Sequence, residues 1–263
     1  MSDKIKSLWN SRSDEYYRAG TAAETACYDR IAADPSWAFP PEVFAMLTAS
    51  FPSFADLRVL VPSSGDNCAA FGFHLLGAKV TSADISERQL YNAKRIADSR
   101  GWDVDFICAD SMKLDGIKSG EYDLVYTSNG VHVWIDDLAG MYGNFRRVLK
   151  PHGKYIMFET HPFIRPFDDS AAEIKVIKTY GDTQPHGEDV TYSWRIGDIV
   201  NAVIGAGFAL NQMEEFHARP DSCDLWFYKT IEEANADGNG MYDWNQNPWA
   251  ALPQWLALSA DVL

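Results

Sequence analysis

Between Leu57 and Thr230 short apolar runs alternate with amphipathic stretches, and this alternation restricts the fold more than any other feature. Leu57-Arg-Val-Leu-Val61 reads as a strand, and residues 67–76 as a helix stopped by Gly77. Ala78–Ala83 is a second strand. A helix over 86–100 follows, opened by Ser86 as N-cap and closed by Gly101. Val104–Cys108 and Tyr122–Thr127 are strands three and four. Residues 136–149 carry Leu138, Met141, Tyr142, Phe145, Val148 and Leu149 at helical spacing. Lys150-Pro-His-Gly153 is a turn before a fifth strand, Lys154–Glu159. Turn formers and charges fill 162–192, with a short helix expected near 171–180. A helix over 193–206 and two last strands, 208–216 and 224–230, complete the pattern.

Strands separated by helices imply parallel βαβ units, whereas the short link after residue 216 implies an antiparallel final pair. The predicted fold is α/β: a Rossmann-like, doubly wound, seven-stranded, mostly parallel sheet with an antiparallel last strand. Residues 1–50 are expected to form an N-terminal helical lid, and 51–230 the main domain with a substrate-side insertion at 161–192. Residues 231–263 are expected to be an aromatic extension packed on that domain. Five of the nine tryptophans (Trp9, Trp37, Trp244, Trp249 and Trp255) fall in the two end segments, which argues for packed additions.

Charge removes some partners. The chain has 23 Lys+Arg against 37 Asp+Glu, a net charge of −14, and its basic runs are no longer than pairs such as Arg146-Arg147. Nucleic acid requires clustered cations, and an anionic membrane surface repels an acidic chain. After Lys229 there is no Lys or Arg at all, which makes a neutral or cationic small ligand the expectation. The four cysteines, 27, 68, 108 and 223, show no CxxC or metal-ligand spacing, so no metal site is expected. They read as reduced, small core residues of a cytoplasmic protein. Neither a signal peptide nor an apolar run of membrane-spanning length is read. Nothing in the sequence separates a monomer from a homodimer.

In such sheets ligands lie beyond the carboxyl ends of the strands where their order reverses. There, Gly65 lets a ligand approach the backbone, Ser63 and Ser64 keep the space open, and the following helix offers unpaired N–H groups. Asp84, nineteen residues beyond Gly65 at the end of strand two, is placed to accept two ribose hydroxyls. Asp110, Ser111 and Met112 follow strand three: the acid could bond an adenine amino group while Met112 packs on the ring, and a plain polar loop explains them equally well. Thr127 to Trp134, with Ser128, Asn129 and Gly130, follow strand four and would face the reactive end of a ligand.

These segments resemble the class I S-adenosylmethionine-dependent methyltransferases of small molecules. The resemblance rests on Val59–Gly65, Val80–Ser86, Cys108–Ser111, Tyr122–Tyr126 with Ser128–Val131, and Phe145–Lys154, the last similar to the family's RxLKPGG turn. It departs at the first turn: the acid is replaced by Val61, and of three glycines only Gly65 remains, beside Ser63 and Asn67. Asp66 or the Asn67 side chain is then left to hold the methionine amino group. The resemblance implies S-adenosyl-L-methionine as cofactor, S-adenosyl-L-homocysteine as product, and methyl transfer to a small-molecule acceptor. The implied cofactor contacts include Ile85 and Gln89, with Trp9 and Tyr17 from the lid. His161 and His132 are candidate bases, a structural role being the competing reading of each. Two other readings share the fold. One is a non-catalytic relative that binds the cofactor as a sensor or scaffold. The other, a dinucleotide-dependent oxidoreductase, is disfavoured by the missing glycines.

Overall fold

The computed structural model describes residues 2–168, 173–218 and 242–263. Seven strands form one sheet: β1 (Arg58–Pro62), β2 (Lys79–Asp84), β3 (Val104–Cys108), β4 (Tyr122–Thr127), β5 (Leu149–Thr160), β6 (Phe208–Phe216) and β7 (Trp255–Val262). Their order is β3-β2-β1-β4-β5-β7-β6. Strands β1 to β5 pair in parallel, and β7 runs antiparallel to both of its neighbours.

Alternation along the strands sends side chains to opposite faces, and each face is covered by helices. Leu60, Val125, Tyr155, Met157 and Leu258 pack against α6 (Leu138–Val148) and α7 (Ile196–Gly205). Val59, Val61, Leu124, Tyr126, Ile156 and Phe158 pack against α3 (Pro41–Ser50) and α4 (Cys68–Leu75). A third cluster joins α2 (Ala22–Ala33) to α5 (Glu87–Arg100) through Tyr28, Ile31, Phe71, Ala93 and Ile96. Helix α1 (Ser2–Tyr16) docks on the start of α5 by polar contacts. Arg88 grips Asp14 with two 2.8 Å bonds, and Asn10 accepts from the Ser86 hydroxyl at 2.6 Å.

Residues 224–230, expected as the last strand, lie outside the described residues; among those described, β6 pairs with Trp255–Val262. The end segment therefore supplies the inserted strand of the sheet, which runs on past residue 230. Trp255-Leu-Ala-Leu-Ser-Ala has apolar or small residues on both faces, as a strand buried between β5 and β6 requires. Lys154 and Asp261, 2.6 Å apart, pin its register. The short helix expected near 171–180 is not seen over 173–180. That stretch bends, and Val176 forms a bridge with Phe167.

The turn at Lys150–Gly153 lies within β5 as an irregularity. Pairing with β4 jumps from Tyr122↔Leu149 to Leu124↔Lys154, and His152 takes φ +62°. Of the cysteines expected in the core, Cys27 and Cys68 are half-buried with their sulfurs 3.8 Å apart, and Cys108 is exposed. Among the described residues no helix is long and apolar enough to cross a membrane.

Candidate active site

The strand order reverses between β1 and β4, and a cavity of about 390 Å³ opens there at the carboxyl ends of β1 to β4. Its size suits a cofactor-sized ligand. One wall is the turn after β1, where Ser63 (φ +50°) and Gly65 (φ +53°) adopt left-handed conformations. Its positive φ favours glycine at Gly65, and a Cβ there would lie 3.2 Å from the hydroxyl end of the exposed Tyr16 side chain. The Ser63 and Ser111 hydroxyls, 2.7 Å apart, tie this turn to the loop after β3.

Asp84 closes β2 and lines the cavity. One carboxylate oxygen accepts from Ser86 N at 2.9 Å and the other from Gly65 N at 3.3 Å. Two oxygens offer about four acceptor positions, so capacity remains toward the cavity. Burial pushes this carboxyl up to about 6, although the N–H donors of Ser86, Gly65 and Ile85 pull the other way. Asp110 accepts from Met112 N at 2.9 Å, which folds Asp110, Ser111 and Met112 around the same opening.

The far wall is the loop after β4, which Glu159 organises. This buried carboxylate accepts from the backbone N–H groups of Gly130, Val131, His132 and Thr160 at 2.6–3.1 Å. Burial raises its pKa, but the hydrogen bond and charge of His132 with these donors outweigh it, so the net direction is down. Helix α1 forms the roof: Ile5, Trp9 and Tyr16 line the cavity, and Trp9 meets Trp134 edge-on at 5.5 Å.

Of the residues singled out from sequence, Trp9, Ser63, Gly65, Asp84, Ile85, Gln89, Asp110, Ser111, Met112, Asn129 and Gly130 converge on this cavity. Four do not. Ser64 is buried and bonds with the Ser82 hydroxyl at 2.9 Å. Asn67 is fully buried; its amide donates to Tyr17 Oη at 2.9 Å and Gly65 O at 3.0 Å. Tyr17 in turn donates to Gly65 O at 2.7 Å, so both brace the turn from behind. Ser128 faces a second cavity of about 340 Å³ on the other side of Asn129. Asp66, its pKa raised by burial, borders that second cavity as well.

The two candidate bases stand away from the cavity lining. His132 is buried, with Nε2 2.6 Å from the Tyr142 hydroxyl and Nδ1 3.0 Å from Glu159 Oε2. His161 is also buried; Nδ1 accepts from Phe163 N at 3.1 Å, and Nε2 lies 2.7 Å from Glu215 Oε1. Neither lines the cavity, because each ring is already engaged in holding a loop. Val131, Val133 and Trp134 line the cavity from the stretch expected to face it, whereas Ile5, Tyr16, Ile135 and Arg165 are lining residues that the sequence reading did not select. For Trp134 the signal was its position in the stretch after β4; for Arg165 there was none. Among the described residues no cluster of three or more metal-ligating side chains occurs.

The model of a family described as methyltransferase domain matches residues 62–157. A sterol 24-C-methyltransferase of Gibberella zeae is 28% identical over 154 residues, 58% of this chain and 39% of that protein. A demethylmenaquinone methyltransferase of Thermus thermophilus is 31% identical over 103 residues, 39% of this chain and 46% of its own. The chain thus spans less than half the length of either relative. A solved S-adenosylmethionine-dependent methyltransferase from Mesorhizobium loti shares the fold, with a TM-score of 0.61 and 22% identity across 82% of this chain and 96% of its own.

Proposed function

We propose that the chain is a class I S-adenosylmethionine-dependent methyltransferase and that it transfers a methyl group to a small-molecule acceptor. The observation that carries the reading is the convergence of Asp84, the Ser63–Gly65 turn, the Asp110–Met112 loop and the Asn129–Gly130 loop on one cavity. In it, Asp84 would receive the two ribose hydroxyls, and Asp110 and Met112 would hold the adenine. The backbone of the Ser63–Gly65 turn and Asn129 would hold the methionine end. The residues fit: the Asp84 carboxylate keeps spare acceptor positions beside the Gly65 turn, from whose N–H it accepts, and both line the cavity.

When bound, S-adenosylmethionine supplies an electrophilic methyl group on a sulfonium. The chain's own contribution is to align and to exclude water. Glu159 holds the Gly130–His132 backbone rigid at the reactive end, and Trp9 and Trp134 cover it with apolar surface. In-line displacement needs no base when the acceptor need not lose a proton at transfer, as with a neutral amine or an already ionised thiolate, and no histidine lines the cavity among the described residues.

Calorimetry with S-adenosylhomocysteine tests the cofactor reading: the full chain should bind it, and absence of binding overturns the proposal. Turnover of labelled S-adenosylmethionine with a panel of amine, hydroxyl, thiol and carbon acceptors then tests transfer. Turnover with none of them would leave the non-catalytic reading in place.

A further inference from the structure

A smaller cavity of about 260 Å³ adjoins the first, and Val133 and Arg165 line both. We propose that this cavity is a carboxylate-binding subsite for the acceptor, formed by Lys178, His186, Ser193 and Arg165; the assignment rests on the methyltransferase reading. The segment that builds it is well tied to the fold. Tyr192 N donates to Val133 O at 2.9 Å, Trp194 Nε1 to Ile135 O at 2.9 Å, and His186 and Thr191 exchange backbone bonds at 3.0 and 2.9 Å. The subsite is thereby anchored to the loop that faces the reactive end of the first cavity.

Its polar groups converge. The Lys178 ammonium donates to Ser193 Oγ at 2.5 Å and to His186 Nε2 at 3.0 Å, which uses two of its three donors. His186 Nδ1 donates to Gln184 O at 3.0 Å, so its ring is the neutral tautomer that accepts from lysine. Among the described residues no carboxylate lines this cavity, in a chain of net charge −14. Burial and the nearby Arg165 charge both draw the Lys178 pKa down, against Asp182, which raises it. An anion seated between the two cations would relieve that cost.

Lys178 and Arg165 border the cavity, while Glu159 acts on Arg165 and Asp182 on Lys178 from outside its lining. Tyr192 and Trp249 supply aromatic walls, so the fitting ligand is a carboxylate on an apolar body. Such a molecule would place its carboxylate here and its nucleophile beside Asn129 in the adjoining cavity. Net charge alone pointed to a neutral or cationic ligand, but the local arrangement of cations decides at this distance.

The test is a proton NMR titration of the His186 ring, assigned by its absence in His186→Asn. The full chain carries S-adenosylhomocysteine, ionic strength is constant, and benzoate, benzamide and inorganic phosphate are the probes. Benzoate should shift the ring saturably and benzamide should not. Lys178→Met should weaken benzoate by at least about tenfold, the loss of a charged hydrogen bond, and Lys178→Arg should restore it. Unchanged S-adenosylhomocysteine affinity in Lys178→Met certifies its fold. No saturable benzoate shift, equal response to benzamide, or tighter phosphate binding each overturns the subsite. A benzoate response in protein that fails to bind S-adenosylhomocysteine would sink the methyltransferase reading and leave the anion site standing.

Discussion

Asp84 couples cofactor binding to pH in a direction set by its burial. Its folded carboxyl titrates at about 6 against an ordinary value of 3.8. That difference of about two units corresponds to about 3 kcal/mol held against the ionised form in the ligand-free protein. Because the folded value is raised, the stability associated with this group is complete below 3.8 and is lost as pH rises through about 6. Ligand binding has the opposite sign. Ribose hydroxyls donate to a carboxylate, so S-adenosylhomocysteine should select the ionised form and release a proton when it binds near pH 6. Affinity should then fall by about tenfold per pH unit below about 6, while Asp84→Asn should bind weakly with a flat profile. Calorimetry between about pH 5 and pH 8, in two buffers of different ionisation enthalpy, reads both the affinity and the released proton. A wild-type affinity constant over that range, or the same fall in Asp84→Asn, would refute the assignment of Asp84 to the ribose.

Other perturbations probe the walls of the site. Glu159→Gln places an amide against two of the four backbone N–H groups, so urea unfolding should show a loss of about 2–4 kcal/mol with unchanged slope. Because the Glu159 carboxyl is held below its usual range, the stability it adds is present at neutral pH and lost as pH falls through its folded value. The gap between wild type and Glu159→Gln should therefore close on acidification; a gap that widens contradicts the loop assignment. Tyr17→Phe removes the donor to Gly65 O and an acceptor for Asn67, and should lower stability by about 1–2 kcal/mol in the same assay. Trp9→Ala should raise the S-adenosylhomocysteine dissociation constant by about tenfold, the worth of a buried aromatic contact; an unchanged constant would remove α1 from the cofactor wall.

Residues whose role is local were legible in advance. Ser86 caps α5 by accepting from Gln89 N, and Gly101 closes that helix at φ +69°, as their types predict. Asp84 and Asp110 follow strands, and a parallel sheet puts the ends of its strands on one edge. The histidines failed for the complementary reason. His132 and His161 stand at that same edge, but whether a ring faces the cavity or braces a loop depends on Tyr142, Glu159 and Glu215, which arrive from elsewhere in the chain. Asn67 is similar: its place in the turn was clear, while its burial depends on Tyr17, fifty residues earlier.

Alternating periods and capping residues are properties of neighbouring residues, so the α/β class, the parallel core and the position of the binding edge follow from the sequence by itself. Partner choice between distant segments is not local. Only the tertiary structure placed Trp255–Val262 between β5 and β6, because hydrogen-bonding edges and two-sided burial select a strand by shape across the whole fold. The same holds for the site. Sequence placed the carboxylate at the end of β2, and folding decided that Arg165 and Lys178, with no recognisable spacing between them, would line one neighbouring cavity.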